Sequence, residues 1–180
     1  CDLVRVGAPE DDEVTGDGRF ADGASSAWQA VKDHLVDPAG GVVTHLSREF
    51  AGPTDGHRSQ NPVMHLFEAL LALWQAGGRE EARADALALG RFVVEGLIER
   101  PGNPLPELYT PVWTPLPEPL GGRIDIGHQF EWAYLLSRAA EIGLPSDWLA
   151  YAEGLLDYAV AHGLDGRTGQ ESQQVHEVAA

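Results

Sequence analysis

Histidine and glutamate three residues apart, followed by an apolar run, occur twice in this chain: "HLFEALLAL" from His65 to Leu73 and "HQFEWAYLL" from His128 to Leu136. On a helix the two side chains of each pair share one face, so the carboxylate can touch the imidazole or act beside it on a common ligand. A histidine in the first helical turn feels the positive end of the helix dipole, which lowers its pKa, while a nearby glutamate raises it. Tuning of that kind near neutrality suits proton transfer. One such pair alone is commonly a cap or a solvated surface group; two at matching places argue for a shared purpose. Di-iron bundles use Glu-x-x-His on facing helices, but here the order is reversed and only two helices carry it, so no metal is expected.

The flanking sequence says which elements must hold these pairs. Ser25 to Val36 has helical apolar spacing behind a serine and ends at "DPAGG". "GVVTHLSREF" reads as a short hairpin or extended loop, followed by the turn-rich "AGPTDGHRSQNP". Met64 to Ala76 and Glu80 to Arg100 form two helices separated by Gly77 and Gly78. The proline-rich crossing "PGNPLPELYTPVWTPLPEPLGG" cannot stay helical. It brings Tyr109 and Trp113, which either stack on a sugar ring or pack the loop. Two further helices, Gly127 to Ile142 and Ser146 to His162, repeat the helical hairpin. Each His-x-Phe-Glu thus opens the first helix of a hairpin, directly after a long irregular segment. Repetition of such hairpins suggests a solenoid or a closed ring, and in a ring the equivalent helix ends face one cavity. The expected organisation is a loose lead-in over 1–22, an all-α domain over 23–164 and a tail over 165–180.

Composition narrows the partners. With 28 acidic against 12 basic residues the formal net charge is −16, which repels nucleic acid and anionic membranes. Cys1 is the only cysteine, so no intrachain disulfide forms and a reducing, cytoplasmic setting is expected. A leading Cys is read as a fragment boundary rather than a lipid-bearing residue. No apolar run reaches the roughly 20 residues of a membrane span. No Walker or G-x-S-x-G pattern occurs, which disfavours phosphoryl and acyl transfer.

"RSQNPVMHLFEALLAL" from Arg58 to Leu73, "GHQFEWAYLL" from Gly127 to Leu136 and "DPAGGVV" from Asp37 together resemble the acylglucosamine 2-epimerase family, over about Asp37 to Leu164. The resemblance implies an all-α fold, an (α/α)6 barrel of which this chain supplies about half. It also implies a sugar epimerase or isomerase that works through an enediolate without a cofactor. By motif, His128 resembles an acid–base histidine, Glu131 its accompanying carboxylate and His65 a substrate-contacting or enediolate-stabilising group. Arg58, Asn61, Glu68 and Trp132 complete the implied substrate-binding set, and Trp132 is similar to the isomerase-like branch, which points to a mannose-like monosaccharide. Ile126 stands where the family has proline, and no C-terminal segment matches the family's last catalytic histidine; His176 lies outside that motif. A non-catalytic carbohydrate-binding or scaffold half-barrel is the alternative, and an incomplete ring is expected to self-associate through its uncapped flanks. A glycoside hydrolase of similar barrel shape would need two carboxylates across the scissile bond, and no such pair is marked. As a cavity-lining group, His128 is expected to be replaceable by alanine with folding nearly unchanged and turnover much reduced.

Overall fold

The computed structural model describes residues 18–49 and 56–163, with the backbone of 175–176. The lead-in before residue 18, Cys1 included, the tail other than 175–176 and the side chain of His176 lie outside the described residues. The described core is mostly helical, with Val42, Leu105, Tyr109 and Trp113 joining it from the connecting segments. Helix α1 spans Arg19–His34, α2 Gln60–Gly77, α3 Glu80–Arg91, α4 Ile126–Glu141 and α5 Trp148–Gly163. Two hairpins, α2 with α3 and α4 with α5, carry most of the packing, and α1 and α4 flank α2. This is the all-α architecture expected.

The helix ends follow local chemistry. Ser59, in extended conformation, accepts the Asn61 amide and starts α2. Asp125 does the same for α4, taking the Gly127 and His128 amides at 2.9 and 3.4 Å. Gly78 closes α2 in the left-handed region at φ 59°, its N–H returning to the Trp74 carbonyl, a backbone shape glycine adopts without steric cost. α2 therefore begins four residues earlier than its apolar run, because Gln60 to Val63 already lie behind the Ser59 cap. Likewise α1 begins at Arg19, within the segment expected to be loose, since Ala21 is buried and Ala24 packs on the core.

The second helix of the first hairpin is not uniform. After Arg91 the chain winds as a π-helix over Phe92–Ile98, burying Val93, Val94, Leu97 and Ile98, and leaves it through Glu99 at φ 66°. Phe92 meets Trp113 edge-on at 5.0 Å and lies under Gly40 and Gly41. Trp113 in turn tilts against Tyr109 at 5.5 Å, and both are buried. Of the two readings of Tyr109 and Trp113, packing of the loop is the one the structure shows.

Between the hairpins sits an aromatic core. Phe67 of α2 stacks on Trp132 of α4 at 5.6 Å and meets Trp148 of α5 at 6.1 Å. Trp148 lies against Gly90 so closely that a Cβ there would fall 2.2 Å from the indole. Three helices from two hairpins are thereby locked around Phe67. The crossing is stitched to this core by short antiparallel ladders. β1, Arg58–Ser59, pairs with β2, Leu108–Tyr109, in register Arg58 to Tyr109 and Ser59 to Leu108. β3, Arg123–Ile124, pairs with β4, Val175–His176. "DPAGGVV" forms a tight turn in which Val36 bridges Val42.

Candidate functional site

α2 and α4 run side by side from neighbouring N-termini, so the two His-x-Phe-Glu copies share one seam. At its start the Asn61 amide nitrogen lies 3.0 Å from His128 Nε2. Further along, His65, Glu68, Glu131, Tyr134 and Leu135 line an open groove of about 240 Å³. Within it His65 Nδ1 is 3.5 Å from Glu68 Oε2, and both side chains are about half exposed. Tyr134, 64% exposed, presents its ring to solvent at the groove edge.

His128 takes its charged partner from outside its own helix. Its Nδ1 lies 2.8 Å from Oε1 of Glu107, a residue of the crossing whose side chain is 9% exposed. The backbone of Glu107 is held on both sides: its carbonyl accepts the Gln60 amide at 3.2 Å and its amide donates to the Arg123 carbonyl at 3.0 Å. The Gln60 side chain, fully buried, donates from Nε2 to the same Glu107 Oε1 at 2.8 Å and accepts the Trp132 indole N–H at 2.5 Å. The hydrogen bond to Glu107 raises the His128 pKa above the ordinary imidazole value. Burial opposes this, and the charges of Glu107, Asp125 and Glu131 add to the rise. The helix N-terminus, expected to lower it, is outweighed by carboxylates. Tyr109, beside Glu107, has its phenol pushed up by burial and by that same charge.

The seven residues singled out from sequence fall into three groups. Glu131 does not pair with His128 but faces the groove with His65 and Glu68. Asn61 joins His128 at the head of the seam. Arg58 and Trp132, expected at the substrate, adjoin the seam as buried side chains. Arg58 is 6% exposed, its Nε bound to Asp37 Oδ2 at 2.5 Å, while Asp37 Oδ1 accepts the Ala39 amide. The Nε bond clamps the "DPAGG" turn to the start of α2. Trp132 is fully buried with its only donor on Gln60, so it offers a ligand no surface. No local pattern in the sequence marks Glu107 or Gln60. Glu107 sits in an irregular segment 21 residues before His128, and only pairing of β1 with β2 brings it there. The structure brings no group of three or more His, Cys, Asp or Glu suited to a metal ion together among the described residues.

Comparison with known proteins agrees with this architecture. Residues 10–174 match the family model described as N-acylglucosamine 2-epimerase (GlcNAc 2-epimerase). Over 83 residues the chain is 37% identical to a mannose-6-phosphate isomerase of Rhizobium meliloti (strain 1021), covering 45% of this chain and 21% of that protein. Over 128 residues it is 34% identical to a D-mannose isomerase of Thermobifida fusca, covering 63% of this chain and 31% of that protein. A crystal structure of a D-mannose isomerase superposes with a TM-score of 0.77 at 21% identity, over 88% of this chain and 43% of that one, a likeness of fold. The chain therefore spans a third or less of the curated relatives it matches and a little under half of the solved barrel. With 165 of its 180 residues inside the family match (10 to 174), the chain belongs to the N-acylglucosamine 2-epimerase family.

Proposed function

We propose that the protein carrying this chain is a sugar epimerase or aldose–ketose isomerase acting on a mannose-like monosaccharide through an enediolate. The observation that carries this reading is the seam itself, where a carboxylate-paired His128 stands one helical turn from a groove lined by His65, Glu68 and Glu131. Removing the proton beside a carbonyl needs a base whose pKa lies near the working pH, and an imidazole backed by a carboxylate is one. The unprotonated nitrogen of His128 takes the C2 proton of the open-chain aldose; its return to C1, with the O2 hydroxyl proton passing to O1, gives the ketose, whereas an epimer requires a second acid that delivers a proton to the opposite face of C2. In this reading Glu131 and Glu68 accept hydrogen bonds from sugar hydroxyls, and His65 donates to the developing oxyanion. Two carboxylates in the groove, with no lysine or arginine among its lining residues, favour neutral hydroxyls over a sugar phosphate. The likeness to a D-mannose isomerase and to a mannose-6-phosphate isomerase supports the sugar class.

The test is incubation of the full-length protein with mannose in deuterated water, read by NMR. Ketose or epimer carrying solvent deuterium at the exchanged carbon is the expected result. No label in any of a panel of common aldoses overturns the proposal. Calorimetric binding of a sugar without turnover would favour a carbohydrate-binding scaffold instead.

A further inference from the structure

The side chains behind His128 form a chain of hydrogen bonds whose direction is set at its far end. Trp132 Nε1 is a donor only, so the atom 2.5 Å from it must be the Gln60 carbonyl oxygen. The Gln60 amide nitrogen must then point the other way, and there it lies 2.8 Å from Glu107 Oε1 and 3.0 Å from His128 Nδ1. A donor facing Glu107 Oε1 requires that oxygen to be an acceptor, and the same oxygen is 2.8 Å from His128 Nδ1. Nδ1 therefore carries the hydrogen. Its 3.0 Å approach to the Gln60 nitrogen is a meeting of two donors aimed at one oxygen, not a bond between them. The other face of the ring is compatible: Nε2 lies 3.0 Å from the Asn61 amide nitrogen, which donates to it in the Nδ1–H tautomer. We propose that Trp132, Gln60 and Glu107 are positioning residues which fix neutral His128 as its Nδ1–H tautomer and leave Nε2, capped by the Asn61 amide, as the atom that exchanges protons with substrate.

Trp132, fully buried, is the end stop of the relay. The tautomer assignment rests on the acid–base reading above for its meaning in turnover, yet its content is the state of one imidazole, which is measurable with no substrate present. The charged groups facing that ring are Glu107 from the crossing, Asp125 from the cap of α4 and Glu131 from α4 itself; Gln60 and Asn61 face it as neutral amides. Of these only Glu107 touches the ring nitrogen directly, so its removal is the largest single change.

The experiment is ¹⁵N-histidine NMR on the full-length protein, with the His128 signal assigned by its loss in H128Q. In the wild type, the neutral ring above its titration shows the Nδ1–H pattern. In E107Q, which keeps the volume and the Gln60 contact, the His128 midpoint falls by about one pH unit or more, a tenfold or larger loss of proton affinity. In W132F, and in Q60L as a second removal of the same link, the midpoint falls in the same direction by less, with circular dichroism confirming that the fold is retained. An Nε2–H pattern in the wild type, or an unchanged midpoint in E107Q, overturns the proposal. A wild-type midpoint in a folded W132F or Q60L removes the relay and reduces Trp132 to packing. Loss of turnover alone decides nothing here, and a mannose assay that fails while the NMR pattern holds would refute the sugar reading and leave the relay standing.

Discussion

His128 is tied to Glu107 by a hydrogen bond that is almost out of solvent, and this changes what its removal should do. Sequence reasoning expects His128→Ala to leave folding nearly unchanged. The structure instead leaves the Glu107 carboxylate, 9% exposed, with the Gln60 amide as its remaining side-chain donor, and such a loss costs about 1–3 kcal/mol. H128A should therefore both lower the melting temperature and reduce turnover by about 10²–10⁴-fold, measured on one preparation and expressed per folded molecule. The pair also has a pH signature. The folded pKa of His128 is raised, so the pair's ionic stabilisation is fully present below the ordinary histidine value and is lost as pH rises through the folded one. Thermal melts of wild type and H128Q should converge at alkaline pH and separate under mildly acidic conditions; a gap that widens with pH would contradict the assignment. His65, Glu68 and Glu131 were legible because they lie at helical spacing on one face. Glu107 and Gln60 were not, since their roles arise from long-range pairing that no local period encodes.

Helices position this site through their first turns, so the caps and the close helix contacts are where single changes should tell. Asp125 holds the Gly127 and His128 amides, and D125A should cost about 0.5–2 kcal/mol in chemical denaturation, while D125N, which can still accept, should cost less. Because the cap fixes the turn bearing His128, D125A should also lower kcat more than it raises KM. Gly90 is the second point. A methyl group there meets the Trp148 indole, which sits on Phe67, so G90A should destabilise by about 1–3 kcal/mol through overpacking. A melting temperature equal to that of the wild type would show that Trp148 has room to move. The hairpins and their glycine stops were readable from apolar spacing and turn chemistry. The π-helical end after Arg91 was not, because over seven residues an apolar pattern fits i→i+5 bonding as well as i→i+4.

At the scale of the molecule, the described residues form two hairpins and a flanking helix from one arc of a barrel, and the outer face of α5 shows what an arc leaves uncovered. Leu149, Leu156 and Val160, seven and four residues apart, fall on one side of that helix and are 41%, 44% and 46% exposed. The 180-residue chain in isolation should self-associate through this stripe, and replacing Leu156 and Val160 by glutamate should return a smaller species in sedimentation velocity. A wild-type chain that sediments as a compact monomer at high concentration would contradict this. No described helix is long and apolar enough to cross a membrane. The stitching of the crossing has a different consequence, for how such a protein can change over time. Glu107 is pinned by its carbonyl to the start of α2 and by its amide to Arg123, while residues 117–120 between those anchors are exposed. The segment between the anchors can therefore gain or lose length as a neutral event: several glycine and serine residues inserted between Pro119 and Leu120 should leave His128 with its carboxylate, whereas one residue inserted between Pro106 and Glu107 should slip the pairing and part them. The tip of the crossing should thus tolerate a change of length that its root does not.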